Sequence, residues 1–210
     1  MTRVVIRKIF HIIPVVRRNF YRQYNKMYFW VNNVQYGKGL QVYNKIYIKG
    51  EGRVKIGEDF IFYSGDALNP ICRNVRGAIY TSTKEARVII GSRVGISSAC
   101  LWAKELIVIG NDVNIGANCI IIDNDAHPHD YLKRHKMWGN KVGHDSYMNS
   151  IPSKPIVIDD DVWVGACCTI LKGVHIGARS IIAAGSVITK EIPSDVLAGG
   201  NPCKIIRKLV

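Results

Sequence analysis

Residues 158–188 read IDDDVWVGACCTILKGVHIGARSIIAAGSVI, with an aliphatic side chain at every sixth position: Ile158, Val164, Ile170, Ile176, Ile182 and Ile188. Two places before each later aliphatic stands a small or β-branched residue: Val162, Cys168, Val174, Ser180 and Ser186. A helix would repeat its apolar residues three and four apart, and a half-buried strand would alternate every second residue. A strict period of six describes a chain that turns a corner every six residues, the signature of a parallel β-helix. Three such units close one coil of a three-sided prism, so Ile158 stacks under Ile176, Val164 under Ile182 and Ile170 under Ile188. Ordering a chain costs roughly 1–2 kcal/mol per residue. A single coil cannot meet that cost, so it needs coils above and below it, and neighbouring chains.

Upstream, the beat returns as Ile90, Ile96 and Trp102, slips by one residue near Lys104-Glu105, and resumes as Ile109, Ile115 and Ile121. Gly91, Gly110 and Gly116 each follow one of these aliphatics. Glycine there suits a backbone leaving a flat strand for a corner, in places with positive φ. Further back the beat is fainter. Val42, Ile48, Val54 and Phe60 are six apart, Lys55-Ile56-Gly57 offers an off-register alternative, and Tyr63 to Glu85 reads as a widened coil or a loop. The coil is expected over residues 34–198, followed by a tail at 199–210.

Residues 1–33 differ in kind. Arg3, Arg7, Lys8, Arg17, Arg18, Arg22 and Lys26 occur with no acid among them, interleaved with Ile6, Phe10, Ile13, Tyr21, Tyr24, Phe29 and Trp30. That pattern predicts one or two short amphipathic helices broken at Pro14. Two roles fit: a foot on an anionic inner-membrane surface, or a cap that closes the prism and packs on a neighbouring subunit.

Between Ile121 and Ile158 the repeat stops. Residues 123–154 lack the six-fold aliphatics and carry Pro128, Pro152 and several glycine and asparagine turn signals. Some thirty residues between two well-phased sets of coils predict an extruded loop, and loops of that length are usually functional or disordered. It opens Asp123-Asn124-Asp125-Ala126-His127-Pro128-His129. An imidazole with its ordinary pKa near 6.5 is largely free base at neutral pH and can take the proton from an attacking hydroxyl. Pro128 restricts the backbone of His127.

The formal net charge of +13 calls for an anionic partner: a phosphorylated cofactor, an acidic glycan, a lipid surface or nucleic acid. No nucleic-acid recognition module is visible outside the basic N-terminal segment. The six cysteines, 72, 100, 119, 167, 168 and 203, show neither CxxC pairing nor zinc spacing, so no metal is expected and the thiols read as reduced, in a cytoplasmic protein. The early apolar run Ile9 to Val16 is interrupted by His11 and Pro14, is too short to span a bilayer and lacks a cleavage site.

Taken together, the repeats, the His127-Pro128 pair, the Asp161-Val162-Trp163-Val164-Gly165-Ala166 segment and the ending Gly199-Gly200-Asn201-Pro202-Cys203-Lys204-Ile205-Ile206-Arg207 resemble the hexapeptide-repeat acyltransferases. Among them the set of small O-acetyltransferases acting on cell-surface polysaccharides and their precursors is the nearest. The resemblance implies an all-β fold, a left-handed parallel β-helix with a short helical N-terminal segment and an extruded loop. It also implies acetyl-CoA as donor, a carbohydrate acceptor in polysaccharide biosynthesis, and a homotrimer in which the loop of one chain faces the Trp163 side of the next. His127 takes the general-base role, with His129 the alternative. Asp123, Asn124 and Asp125 would orient the imidazole or bind the acceptor. Trp163, Ala166, Ala184, Thr189 and Lys190 match coenzyme A positions. Lys204, where related sequences often carry arginine, and Arg207 would meet phosphates. An N-acetyltransferase acting on an amino sugar or other small amine is the alternative activity. A catalytically silent coil of the carbonic anhydrase-like type would need three zinc-binding histidines, whose spacing is missing.

Overall fold

The computed structural model describes residues 3–65, 69–73, 75–137 and 143–209; the side chains of 4–11, Pro14, His144 and Asp145 fall outside that description, including the expected amphipathic positions Ile6, Arg7, Lys8 and Phe10. Helix α1, Arg3–Val31, leads into three parallel sheets that wind as a left-handed β-helix. The first sheet stacks strands 35–36, 53–56, 87–90, 106–109, 156–158 and 175–176. The second stacks 41–43, 61–63, 95–97, 114–115, 163–164, 181–182 and 196–199, and is closed by the antiparallel strand Lys204–Lys208. The third stacks 47–50, 78–81, 100–103, 120–122, 169–171 and 187–188.

The register reproduces the six-fold stack. Ile158 pairs with Ile176, Val164 with Ile182 and Ile170 with Ile188, and all six are buried. Val162, Cys168, Val174, Ser180 and Ser186 are buried as well. They fill the prism's corners from inside, which is why they are small or β-branched.

Upstream the stack departs from strict counting. Leu101, not Trp102, points inward and lies beside Ile121, while Trp102 lies outward. The spacing is five from Ile96 to Leu101 and eight from Leu101 to Ile109, so one residue is lost before Leu101 and two are gained at the Lys104-Glu105 corner, where the sequence suggested the slip. In the second coil Ile56 and Phe62 hold the inward register with Ile90 and Ile96. Val54 and Phe60 are also buried, but two positions earlier, so the off-register frame at Ile56 is the one adopted. Periodicity alone cannot separate these two inward-facing positions, since both are apolar.

Glycines follow the aliphatics for a reason other than φ. A Cβ on Gly116 would lie 2.5 Å from Ala166 N, and one on Gly165 the same distance from Ala184 N. The bar is the close spacing of successive coils. Positive φ falls instead three residues after inward aliphatics at the regular corners: Asp112, Asn118, Asp161, Cys167 and Arg179, and Gly173 and Gly185.

Helix α1 is continuous through Pro14. An interior proline removes one hydrogen bond and costs about 3 kcal/mol, which bends or weakens a helix without having to end it. Its last turns cap the prism. Phe29 is fully buried, Asn25 donates to Val42 O (3.0 Å) and Asn44 O (2.7 Å), and Tyr28 Oη donates to Ile48 O (3.0 Å). Among the described residues no helix is long and apolar enough to cross a membrane. All six cysteines are free thiols.

Candidate functional site

The interruption after Ile122 leaves the coil at the edge where the third sheet turns into the first. It carries two short helices that the sequence did not suggest, α2 (Tyr131–Met137) and α3 (His144–Asn149), before Ile156 rejoins the first sheet. Its neck is zipped by main-chain bonds from Asp125 N to Pro152 O (3.1 Å) and from Lys154 N to Asp123 O (2.9 Å).

Asp123 builds this neck. Its carboxylate is fully buried and accepts from the amides of Lys104 (2.7 Å), Glu105 (2.7 Å) and Leu106 (2.8 Å), with Asn124 Nδ2 donating as well (3.1 Å). Asn124 Oδ1 in turn accepts from Ala126 N (2.8 Å). Asp125 sits one layer outward. It accepts from Lys172 Nζ at 2.6 Å and pairs with His129 Nε2 at 2.6 Å. Burial pushes its carboxyl up, but Lys172 and His129 outweigh this and hold it below the usual carboxylate range. The three residues expected to orient the imidazole are thus engaged elsewhere, and His129 is tied to Asp125.

The partner of His127 is Tyr147, which sequence reasoning missed. His127 Nδ1 lies 2.7 Å from Tyr147 Oη, with the rings edge to face. Tyr147 is buried on α3, whereas the imidazole is exposed. In the tautomer where Nδ1–H donates to the phenol oxygen, the Nε2 lone pair is left free. No periodic signal marks Tyr147, twenty residues away along an aperiodic loop. Beside α3, Met148 and Asn149 border a cleft of about 630 Å3 that also takes in Lys49, Tyr80, Ser82 and Thr83. Tyr80 lies 5.5 Å from Trp102 in that outward row.

The expected donor-binding residues fall into separate places. Trp163 is 56% exposed on the outer face of the second sheet. Ala166 and Ala184 stack at the corner between the second and third sheets. Lys204 and Arg207 are exposed on the last strand, opposite Gly199 and Leu197. Thr189 and Lys190 lie at the other edge, the one that carries the His127 loop and Lys172. A whole sheet therefore separates His127 from the Trp163 wall within one chain, on the order of 15 Å for a strand and corner rising ~3.3 Å per residue. Among the described residues no cluster of three His, Cys, Asp or Glu is placed to hold a metal.

A three-sided parallel coil interrupted by one histidine-bearing loop is a hexapeptide-repeat β-helix. Residues 155–190 match the bacterial transferase hexapeptide family (six repeats), and residues 106–122 match the hexapeptide repeat of succinyl-transferase. The galactoside O-acetyltransferase of Lactococcus lactis is 39% identical over 105 residues, covering 49% of this chain and 44% of that protein. The galactoside O-acetyltransferase of Escherichia coli is 36% identical over 105 residues, with the same two coverages. The match thus spans less than half the length of these relatives. The structure of AntD, an N-acyltransferase from Bacillus cereus, in complex with dTDP and 3-hydroxybutyryl-CoA, superposes with a TM-score of 0.64 at 16% identity, covering 87% of each chain, a likeness of fold. Residues 106–122 and 155–190 thus carry hexapeptide repeats of the bacterial transferase type, and the chain is similar to hexapeptide-repeat acetyltransferases in sequence and fold.

Proposed function

We propose that the protein transfers an acetyl group from acetyl-CoA to a hydroxyl of a sugar or polysaccharide precursor in the cytoplasm, with His127 as general base. The observation that carries this reading is the exposed His127 whose Nδ1 is held by Tyr147 and whose Nε2 meets no partner among the described residues. Nε2 takes the hydroxyl proton as the oxygen attacks the thioester carbonyl. Backbone amides stabilise the resulting oxyanion, and coenzyme A leaves as the thiolate. The acceptor sugar lies in the cleft beside α3, where Tyr80 offers an aromatic face and Ser82, Thr83 and Asn149 offer hydrogen-bonding groups. The pantetheine arm runs along the corner of Ala166 and Ala184, whose small side chains allow close approach to the backbone, with Trp163 beside it and Lys204 and Arg207 towards the phosphates.

Because base and donor wall lie on different edges of one prism, the reaction needs a second copy. A closed ring of three satisfies every site, with the loop of each chain against the Trp163 side of the next.

The test is thiol release from acetyl-CoA with a panel of sugars, oligosaccharides and amino sugars. Release dependent on a hydroxyl-only sugar supports the proposal. Release confined to amino sugars would transfer it to N-acetylation, the chemistry named for a 42% identical relative over 55 residues, the 2,3,4,5-tetrahydropyridine-2,6-dicarboxylate N-acetyltransferase of Staphylococcus aureus. No release with any acceptor would overturn acyl transfer.

A further inference from the structure

The first acidic residue of the chain is Glu51; the fifty residues before it hold ten Lys and Arg. Ten of the thirteen net positive charges are therefore in that segment, and the other 160 residues set nineteen cations against sixteen acids. The segment folds as α1 and the first coil, so the imbalance is gathered at one end of the prism.

At that end α1 leaves a second face uncovered. Asn25, Tyr28 and Phe29 lie on the side that meets the prism. At 100° per residue, Ile12, Ile13, Val16, Phe20, Met27, Trp30 and Val31 fall in a sector of about 100° on the opposite side. Their exposure is high: 61% for Val16 and Phe20, 60% for Met27 and 75% for Trp30. By the same rotation Arg17 and Lys26 stand about 40° outside the two edges of that sector, while Arg18 and Arg22 turn toward the prism, where with Tyr43 they line a cleft of about 230 Å3.

We infer that this end of the prism docks on an anionic lipid bilayer, with the apolar stripe of α1 lying in the interface and the flanking cations meeting lipid phosphates. Helices that lie in the interfacial plane combine such a stripe with cationic flanks, and juxtamembrane cations add attraction to an anionic leaflet. The same stripe would suit a second copy of α1 on apolar grounds. Charge decides against that occupant, because seven cations and no acid on each helix would face seven more with nothing to pair them. Capping and docking are then jobs of two faces of one helix. The inference rests on charge and exposure alone and does not depend on the acyl-transfer reading.

The test is flotation of the full-length protein with vesicles of phosphatidylcholine plus phosphatidylserine against vesicles of phosphatidylcholine alone, at low and high salt. Partitioning is expected to be at least about tenfold stronger on the anionic vesicles and to fall at high salt. The double variant Val16→Glu, Phe20→Glu should abolish it, and Arg17→Gln with Lys26→Gln should lower it about tenfold or more, with the solution mass unchanged. Equal partitioning on both vesicles, or none on either, would overturn the inference. So would a fall in oligomer mass in Val16→Glu, Phe20→Glu without vesicle binding by the parent, which would make the stripe a subunit contact. Binding of a single-stranded RNA oligonucleotide without vesicle binding would equally overturn it.

Discussion

The Nδ1 atom of His127 and the phenol oxygen of Tyr147 stand 2.7 Å apart across the loop, one on its exposed entry and the other on the one buried side chain described in α3. A single hydrogen bond from a packed helix thereby fixes a side chain that the exposed backbone alone would leave free to rotate. For the general base proposed above, the arrangement would separate two demands, with orientation from the protein side of the ring and reactivity from the open side.

Tyr147→Phe removes that bond and keeps the ring. Losing a net hydrogen bond of about 1 kcal/mol predicts roughly a five- to tenfold fall in kcat/KM, with KM for acetyl-CoA unchanged. The same substitution made on top of His127→Ala should have no further effect, because its only route to the reaction has gone. Additive losses in the double variant would mean that Tyr147 acts elsewhere.

His127→Ala should lower turnover by about 10²–10⁴, the usual share of general-base catalysis. The side chain is exposed, so the thermal midpoint should stay at the parent value. Turnover near the parent level would remove the assignment, and a matching loss in His129→Ala instead would move it two residues along.

Asp123→Ala strands the amides of Lys104, Glu105 and Leu106 in a buried neck. Each unmet donor costs about 1–3 kcal/mol, so a total loss of about 3–9 kcal/mol is expected for the three, read as a lower urea midpoint. A shift within the error of the parent midpoint would show that the neck relaxes to let water in.

Asp125 gives the loop a defined pH response. Its folded pKa is depressed, chiefly by Lys172 and His129 acting against burial. A depressed carboxyl stabilises fully above its unfolded value, about 3.9, and the contribution is lost as pH falls through the lower folded value. The difference in urea midpoint between the parent and Lys172→Ala should therefore be level from about pH 7 to pH 5 and shrink below about pH 4. A difference that persists undiminished in acid would mean that Lys172 stabilises by packing alone.

The repeat from Ile158 to Ile188 determined the prism by itself, because a six-residue period has one economical solution and each inward aliphatic confirms the next. The proposed role of His127 came from a family resemblance carried by the His127-Pro128 pair, a local motif that a linear chain can display. Where two apolar positions competed, as with Leu101 against Trp102 or Ile56 against Val54, only the stacked coils decided, since neighbouring strands permit one register. The jobs of Asp123 and Tyr147 were also settled in three dimensions. Their partners lie about twenty residues away along the chain, and a hydrogen bond across such a gap follows from how the coil edge and α3 converge, which no local pattern encodes.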